Sequence, residues 1–298
     1  MHVILGYSGC HGLELVLAQS VPSQRVYTEN TSPYQGRMAR TTDLSIVIPA
    51  YNEESRIAPT VRDIVGYCRN GGRAFEVILV DDGSRDGTTS VGRLLSEEFP
   101  ELRVIRLAAN HGKGYAVRTG IVNAIGQRVL FADADGATPI EEIERLERAL
   151  DSGADVAVGS RALRATGVQV HARLYRHLIG RTFHLLVEWL ADGGVKDTQC
   201  GFKLFRSAVA QDLFSRMRMN GFSFDVEVLV MARRGGYRVA EVPVNWTHRP
   251  GSKVRLTLDS LQMAADLVRI RAHCLSGEYE VPHLAPWSQR LEAGPTAP

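Results

Sequence analysis

From residue 44 onward, short apolar runs alternate with amphipathic stretches along the chain. Residues 44–48, Leu-Ser-Ile-Val-Ile, are a short, mostly apolar run of strand length, stopped by Pro49. A helical period follows over 55–69 and closes at Gly71 and Gly72. The same unit then recurs. Strands are predicted over 75–80, 102–107, 128–132 and 155–158, and helices over 86–99, over 114–124 and from Pro139. Strands alternating with helices over this length predict an α/β fold with a parallel, doubly wound sheet.

Beyond Gly159 the rhythm changes. An amphipathic stretch covers about 170–190, mixed segments follow, a strand-like run occupies 238–244 and a last helix 256–274. Residues 1–42 show no convincing period and read as an N-terminal arm, with Met38 as an alternative start. Residues 276–298, with Pro282, Pro286, Pro295 and Pro298, read as a tail.

Composition narrows the class. The 298 residues are 44% hydrophobic, which supplies a sizeable core. Lys and Arg number 35 against 33 Asp and Glu, a balance that excludes a nucleic-acid binder carried by bulk charge. No apolar run reaches the ~18 residues that span a bilayer, and the best, 185–190, contains Glu188. The N-terminus lacks a basic region ahead of an apolar core, so no cleaved secretory signal is expected. Cys10, Cys68, Cys200 and Cys274 form no C-x-x-C pair and read as reduced, mostly buried thiols.

In open parallel sheets, ligands sit beyond the carboxyl ends of the strands. The first strand runs into Pro49-Ala50-Tyr51-Asn52-Glu53-Glu54. The second runs into Asp81-Asp82-Gly83-Ser84-Arg85-Asp86-Gly87-Thr88, and the fourth into Asp133-Ala134-Asp135-Gly136. Carboxylates converging from three strands repel unless a cation joins them. A divalent ion, Mg²⁺ or Mn²⁺, fits, because Mg²⁺ takes one or two carboxylates and completes its shell with phosphate and water oxygens. The Asp-x-Asp spacing throws both side chains the same way, which makes Asp133 and Asp135 the metal candidates. Asp86-Gly87 reads as a turn, with Asp86 capping the next helix.

Ile48-Pro-Ala-Tyr-Asn-Glu-Glu54, Val80-Asp-Asp-Gly-Ser-Arg-Asp-Gly-Thr88 and Asp133-Ala-Asp135 resemble the nucleotide-sugar half of family 2 glycosyltransferases with the GT-A fold. Asn110-His-Gly-Lys-Gly114, Asp133-Ala-Asp-Gly-Ala-Thr-Pro139 and Asp197-Thr-Gln-Cys-Gly-Phe-Lys-Leu-Phe205 narrow the likeness. They are similar to polyprenyl-phosphate hexose synthases, dolichyl-phosphate β-glucosyltransferases in particular. The resemblance covers about 44–274 and implies a GT-A, Rossmann-like domain over 43–275, with a donor half 43–160 and an acceptor half 161–275. It implies inverting transfer of a hexose from a nucleoside-diphosphate sugar, UDP-glucose favoured, to a polyprenyl monophosphate. Pro49, Ala50, Tyr51, Glu53 and Asp82 would cradle base and ribose, with Lys113 close to the nucleotide. Asp133 and Ala134 would lie beside ribose and pyrophosphate, and Asp135 would be the main metal ligand. Mannose-transferring relatives carry Gln two residues after the Asp-x-Asp; Ala137 stands there instead, which favours the glucose branch.

Charge speaks for the acceptor side. Arg161, Arg164, Arg173, Arg176, Arg181 and three His fall between Arg161 and Val187 with no Asp or Glu, interleaved with Leu and aromatic residues. A basic amphipathic helix of this kind suits an anionic membrane surface, although a packed helix with a solvated basic face gives the same pattern. The expectation is an enzyme resting on the cytoplasmic face of a membrane, with an anchoring partner or a second copy as additional possibilities. The resemblance assigns the acceptor phosphate to Arg161, with Lys203 and Lys253 as candidate partners. Asp197 and Asp225 are base candidates should the acceptor be a soluble hydroxyl; Asp225 reads equally as a helix N-cap. Two rival classes remain. Gly112-Lys-Gly114-x-x-Val117, with Asp133 further on, mimics a dinucleotide-binding oxidoreductase, although Val117 replaces the third glycine. A non-catalytic nucleotide-sugar-binding protein is the other, against which the retention of both Asp133 and Asp135 argues.

Overall fold

The computed structural model describes residues 42–171, 194–249 and 258–279. Its strands are β1 (Leu44–Ala50), β2 (Phe75–Asp81), β3 (Leu102–Arg106), β4 (Arg128–Ala132), β5 (Val156–Ser160), β6 (Val170–His171), β7 (Phe202–Arg206), β8 (Val239–Pro243) and β9 (Trp246–Thr247). Its helices are α1 (Ile57–Asn70), α2 (Thr88–Glu98), α3 (Lys113–Val122), α4 (Ile143–Asp151), α5 (Ser207–Arg216), α6 (Phe224–Arg234) and α7 (Leu258–Leu275). Seven strands form one sheet in the order β3-β2-β1-β4-β7-β5-β8, and β6 pairs with β9 apart from it. The chain winds outward from β1 to β3 and returns to β4 on the other side of β1. The carboxyl ends of β1 and β4 therefore flank the topological switch point, the crevice where such sheets bind ligands.

Alternation along the strands separates two cores. Ile46, Ile48, Leu79 and Leu130 pack with buried residues of α1, α2 and α4. Val47, Val80, Phe131 and Phe205 pack on the opposite face with α3, α5, α6 and α7. Two apolar layers around a sheet buried on both sides explain why its strands read as continuous apolar runs.

Three expectations change. The first strand does not stop at Pro49 but runs on to Ala50. The Ala50 carbonyl accepts the Asp82 amide on the β2 side, so Pro49 faces the β4 side, where pairing has already ended at Val47. A missing N–H costs nothing there. Second, Phe202–Arg206 is a strand, set antiparallel between β4 and β5. The two halves divided at residue 160 thus share one sheet. Third, Val170 and His171 open no helix; they form β6 against β9. The mixed segments contain α5 and α6, and every residue of α6 from 224 to 232 is buried.

Asp86 acts at the start of α2, its carboxylate accepting the Thr88 amide (3.0 Å). Asp225 lies inside the first turn of α6 rather than at its cap, which is Ser223. Cys68, Cys200 and Cys274 are free and buried. Residues 1–41, most of the basic stretch (172–193), Lys253 and residues 280–298 lie outside the described residues.

Candidate active site

The loops after β1 and β2 are tied together by side chains that bond backbone. Asn52 sits in the left-handed region (φ 54°), a conformation Asn tolerates. Its amide donates to Ser84 Oγ and its Oδ1 accepts the Arg85 amide, both at 2.9 Å. The Glu53 amide donates to Thr88 Oγ1 (2.8 Å), and Glu54 accepts the Gly87 amide (3.0 Å). Arg56 grips the Glu53 carboxylate through Nε and Nη2. Pro49 and Ala50 are buried at the base of this edge, with Tyr51 half-buried at its rim. Asp82 is buried, and its oxygens accept the amides of His111 (2.8 Å) and Gly112 (2.9 Å) and the Asn110 side chain (3.0 Å). It thereby fixes the 110–112 loop that leads into Lys113.

Lys113 pairs with Asp133 (Nζ–Oδ1 2.7 Å). The glycines around it serve close approach, not a dinucleotide. Gly112 has φ 103°, and a Cβ on it would lie 2.5 Å from the Asn220 carbonyl; one on Gly114 would lie 2.6 Å from the Met219 carbonyl. That packing accounts for the misleading Gly-Lys-Gly pattern. Asp133 in turn rests on Gly201, whose carbonyl accepts the Asp133 amide (3.0 Å). A Cβ at Gly201 would come within 1.9 Å of Asp133 Oδ2. Gly201→Ala is therefore expected to displace the Asp133 carboxylate, cost about 1–3 kcal/mol of stability and lower turnover more than tenfold. Denaturant unfolding and a transfer assay check both; wild-type turnover would refute this contact.

Asp135 differs from its neighbours. Its Oδ1 accepts the Ala137 amide (3.0 Å), and no basic group lies within ion-pair distance among the described residues. Burial and the Asp133 charge push its carboxyl above the usual range. A cation beside Asp135 would relieve that penalty, so Asp135 fits a divalent ion, with Asp133, already paired with Lys113, next to it. Among the described residues no three His, Cys, Asp or Glu side chains gather into a metal cluster.

The other acids are taken. Asp197 accepts two side-chain bonds from Arg161 (Nε and Nη2, each 2.7 Å) and one from its amide (2.8 Å). Burial opposes its ionisation, but the Arg161 charge and these bonds hold its carboxyl below the ordinary range. Glu241 on β8 fixes the same loop by accepting the amides of Lys196 (3.0 Å) and Asp197 (2.9 Å). The Trp246 ring lies 5.5 Å from the Arg161 guanidinium, a cation–π contact. Asp225 and Lys203 form a buried ion pair beneath Phe131 and Phe224. Burial raises the Asp225 carboxyl, opposed by Lys203 and Lys113. Cys200, also buried, has its thiol pushed up to about 12, mainly by burial.

Three of the expected site residues, Asp197, Asp225 and Lys203, lie in ion pairs here. Asp197 and Asp225 are not free bases, because Arg161 and Lys203 occupy them. Lys203 is 2% exposed, so it offers no surface ammonium to an acceptor phosphate. Sequence reasoning also missed Arg56, Thr60, Gly201 and Trp246. Thr60 donates to the Ala134 carbonyl (2.9 Å), pinning the Asp133–Asp135 turn to α1. The Thr247 amide donates to the Ala137 carbonyl (2.9 Å), so β9 braces the same turn from the other side. Only Gly201 carried a signal, as the glycine inside the distinctive 197–205 string.

A mostly parallel sheet that gathers acids and cations at its switch point has the layout of a Rossmann-like, GT-A-type domain, with the ligand crevice at its strand ends. Solved structures share the fold. Glucosyl-3-phosphoglycerate synthase from Mycobacterium tuberculosis, in complex with phosphoglyceric acid, aligns with a TM-score of 0.59 at 22% identity, over 78% of this chain and 80% of that one. Its complex with Mn²⁺, UDP-glucose and phosphoglyceric acid aligns with a TM-score of 0.56 at 20% identity, over 81% of both chains. Residues 45–214 match the family model for glycosyl transferase family 2. Curated relatives include the human dolichyl-phosphate β-glucosyltransferase, 38% identical over 81% of this chain and 78% of the relative. The enzyme of the same name from Saccharomyces cerevisiae is also 38% identical, over 79% and 76%. The chain belongs to glycosyl transferase family 2 and is a glycosyltransferase; the oxidoreductase reading is overturned.

Proposed function

We propose that the protein transfers glucose from UDP-glucose to a polyprenyl monophosphate, with inversion to a β-linked product. The relatives named above support glucose and a polyprenyl-phosphate acceptor, and the UDP-glucose complex of the structural neighbour supports the donor class. The observation that carries the reading is the pairing of Asp197 and Asp225 with cations, which leaves neither as a general base. A phosphate acceptor needs none. Its second pKa is about 6, so it reaches the site already ionised at neutral pH.

Donor binding falls to the locked loops after β1 and β2, with Asp82 holding the 110–112 loop beside Lys113. Asp135, with Asp133, would hold Mg²⁺ or Mn²⁺. Such an ion supplies neutralisation of charge developing on the departing diphosphate. Lys113 adds a fixed positive charge at the same edge. Arg161 orients the acceptor phosphate; Asp197 accepts from its Nε and Nη2, which leaves Nη1 outside that pair. Lys253 is retained as a candidate partner for that phosphate. The acceptor is a lipid, so the reaction takes place at a membrane surface. Among the described residues no helix is long and apolar enough to cross a membrane.

Incubation with labelled UDP-glucose, GDP-mannose and UDP-N-acetylglucosamine against polyprenyl phosphate tests the assignment. Label entering the organic phase from UDP-glucose alone is expected; label that remains on a water-soluble acceptor overturns it. Arg161→Ala is expected to raise the KM for polyprenyl phosphate about tenfold or more and to leave UDP affinity near wild type. Equal losses for both substrates would remove Arg161 from the acceptor site.

A further inference from the structure

We propose that Glu227 and Tyr279 are positioning residues of the donor site, acting through the 218–220 loop to seat Lys113 against Asp133. The inference rests on the reading of Lys113 as the cation that faces the donor diphosphate.

Glu227, on α6, is fully buried, and its carboxylate is satisfied by uncharged donors. The Arg218 amide (2.9 Å) and the Tyr279 hydroxyl (2.7 Å) donate to Oε1, and the Met219 amide (2.7 Å) donates to Oε2. Hydrogen bonds to a buried carboxylate are among the strong ones, so this is a firm tie. Tyr279 follows the end of α7 and is 1% exposed. Burial and the Glu227 charge both hold its hydroxyl protonated, and thus a donor.

The loop held by Glu227 presses on α3. The Asn220 carbonyl accepts the Tyr115 amide (3.1 Å). The carbonyls of Asn220 and Met219 also crowd Gly112 and Gly114, the two residues that flank Lys113. From α3, Arg118 donates to the carbonyls of Met217 (3.2 Å) and Ser215 (3.3 Å), closing the loop from its other flank. The end of the last helix therefore reaches Lys113 through one carboxylate and one short loop. Neither Glu227 nor Tyr279 belongs to the acidic edge that binds the donor.

The test is calorimetric titration of the full chain with UDP and Mg²⁺. Tyr279→Phe and Glu227→Gln are measured alone and in a Lys113→Met background. Tyr279→Phe removes one oxygen and leaves Glu227 both amide donors, so the fold is kept. It is expected to weaken UDP binding about fivefold, the effect of one hydrogen bond, and to leave the KM for polyprenyl phosphate unchanged. Glu227→Gln turns an amide group toward two N–H donors and is expected to lose more. In the Lys113→Met background neither variant should weaken UDP further. Unchanged UDP affinity in Tyr279→Phe overturns the inference, as does the same loss with or without Lys113. If Lys113→Met itself leaves UDP affinity intact, the diphosphate reading of Lys113 fails and the inference falls with it.

Discussion

Asp135→Ala is expected to lower cation-dependent transfer by about a hundred- to a thousandfold or more, the scale of losing one preorganised charge at a developing anion. The same change should cost the fold little, because the lost bond to the Ala137 amide is offset by relief of a buried charge. Asp135 is held above the usual carboxylate range by burial and by Asp133. A carboxyl raised in the folded state opposes folding at pH values above its ordinary pKa. At neutral pH its removal therefore relieves a penalty. Turnover should fall while stability holds, which separates a chemical role from a structural one. A transfer assay with Mg²⁺ and Mn²⁺, run beside denaturant unfolding, reads both. Wild-type turnover in the variant would end the metal assignment. Loss of turnover together with loss of stability would make Asp135 a structural residue.

The pattern of apolar runs disclosed β1 to β5 and the helices between them, because each strand there is a short run bounded by Gly, Pro or Asp. It did not disclose β7. Phe202–Arg206 carries Lys203 at a buried position, and a lysine inside a strand reads as a solvent-facing residue. Its partner, Asp225, stands 22 residues later on α6, at a separation no local pattern reports. Helix α6 was half legible: Asp225 reads as the cap of a following helix, but a helix buried throughout 224–232 shows no clear 3.6-residue period. The acids at the strand ends were legible as a group, yet their pairing was not. Sequence set Asp133 and Asp135 apart as metal candidates and offered Asp197 and Asp225 as bases, but gave no sign of which acids already hold a cation. Only the cations facing them, Lys113, Arg161 and Lys203, separate the bound three from Asp135. Gly112 and Gly114 show the converse, a pattern legible in sequence whose cause lay in a loop a hundred residues away.

The buried pair behind the site gives the largest stability effect. Lys203→Met should cost about 3–5 kcal/mol, because it leaves Asp225 as an uncompensated charge in a fully buried position. Burial already raises the Asp225 carboxyl, and Lys203 is the first of the charges that oppose the rise. Without Lys203, Asp225 has two ways out. It takes up a proton, which links unfolding to pH, or it draws Lys113, the other cation that acts on it, away from Asp133. The second route predicts a loss of UDP affinity in a variant that never touches the donor edge. Lys203→Met combined with Asp225→Leu removes both charges, and buried pairs replaced by apolar residues lose little or even gain stability. The double variant should therefore recover most of the stability. Chemical denaturation of the two single variants and the double, with UDP titration of each, measures both arms. A cost below about 1 kcal/mol for Lys203→Met would mean that water reaches the pair, and that it braces nothing.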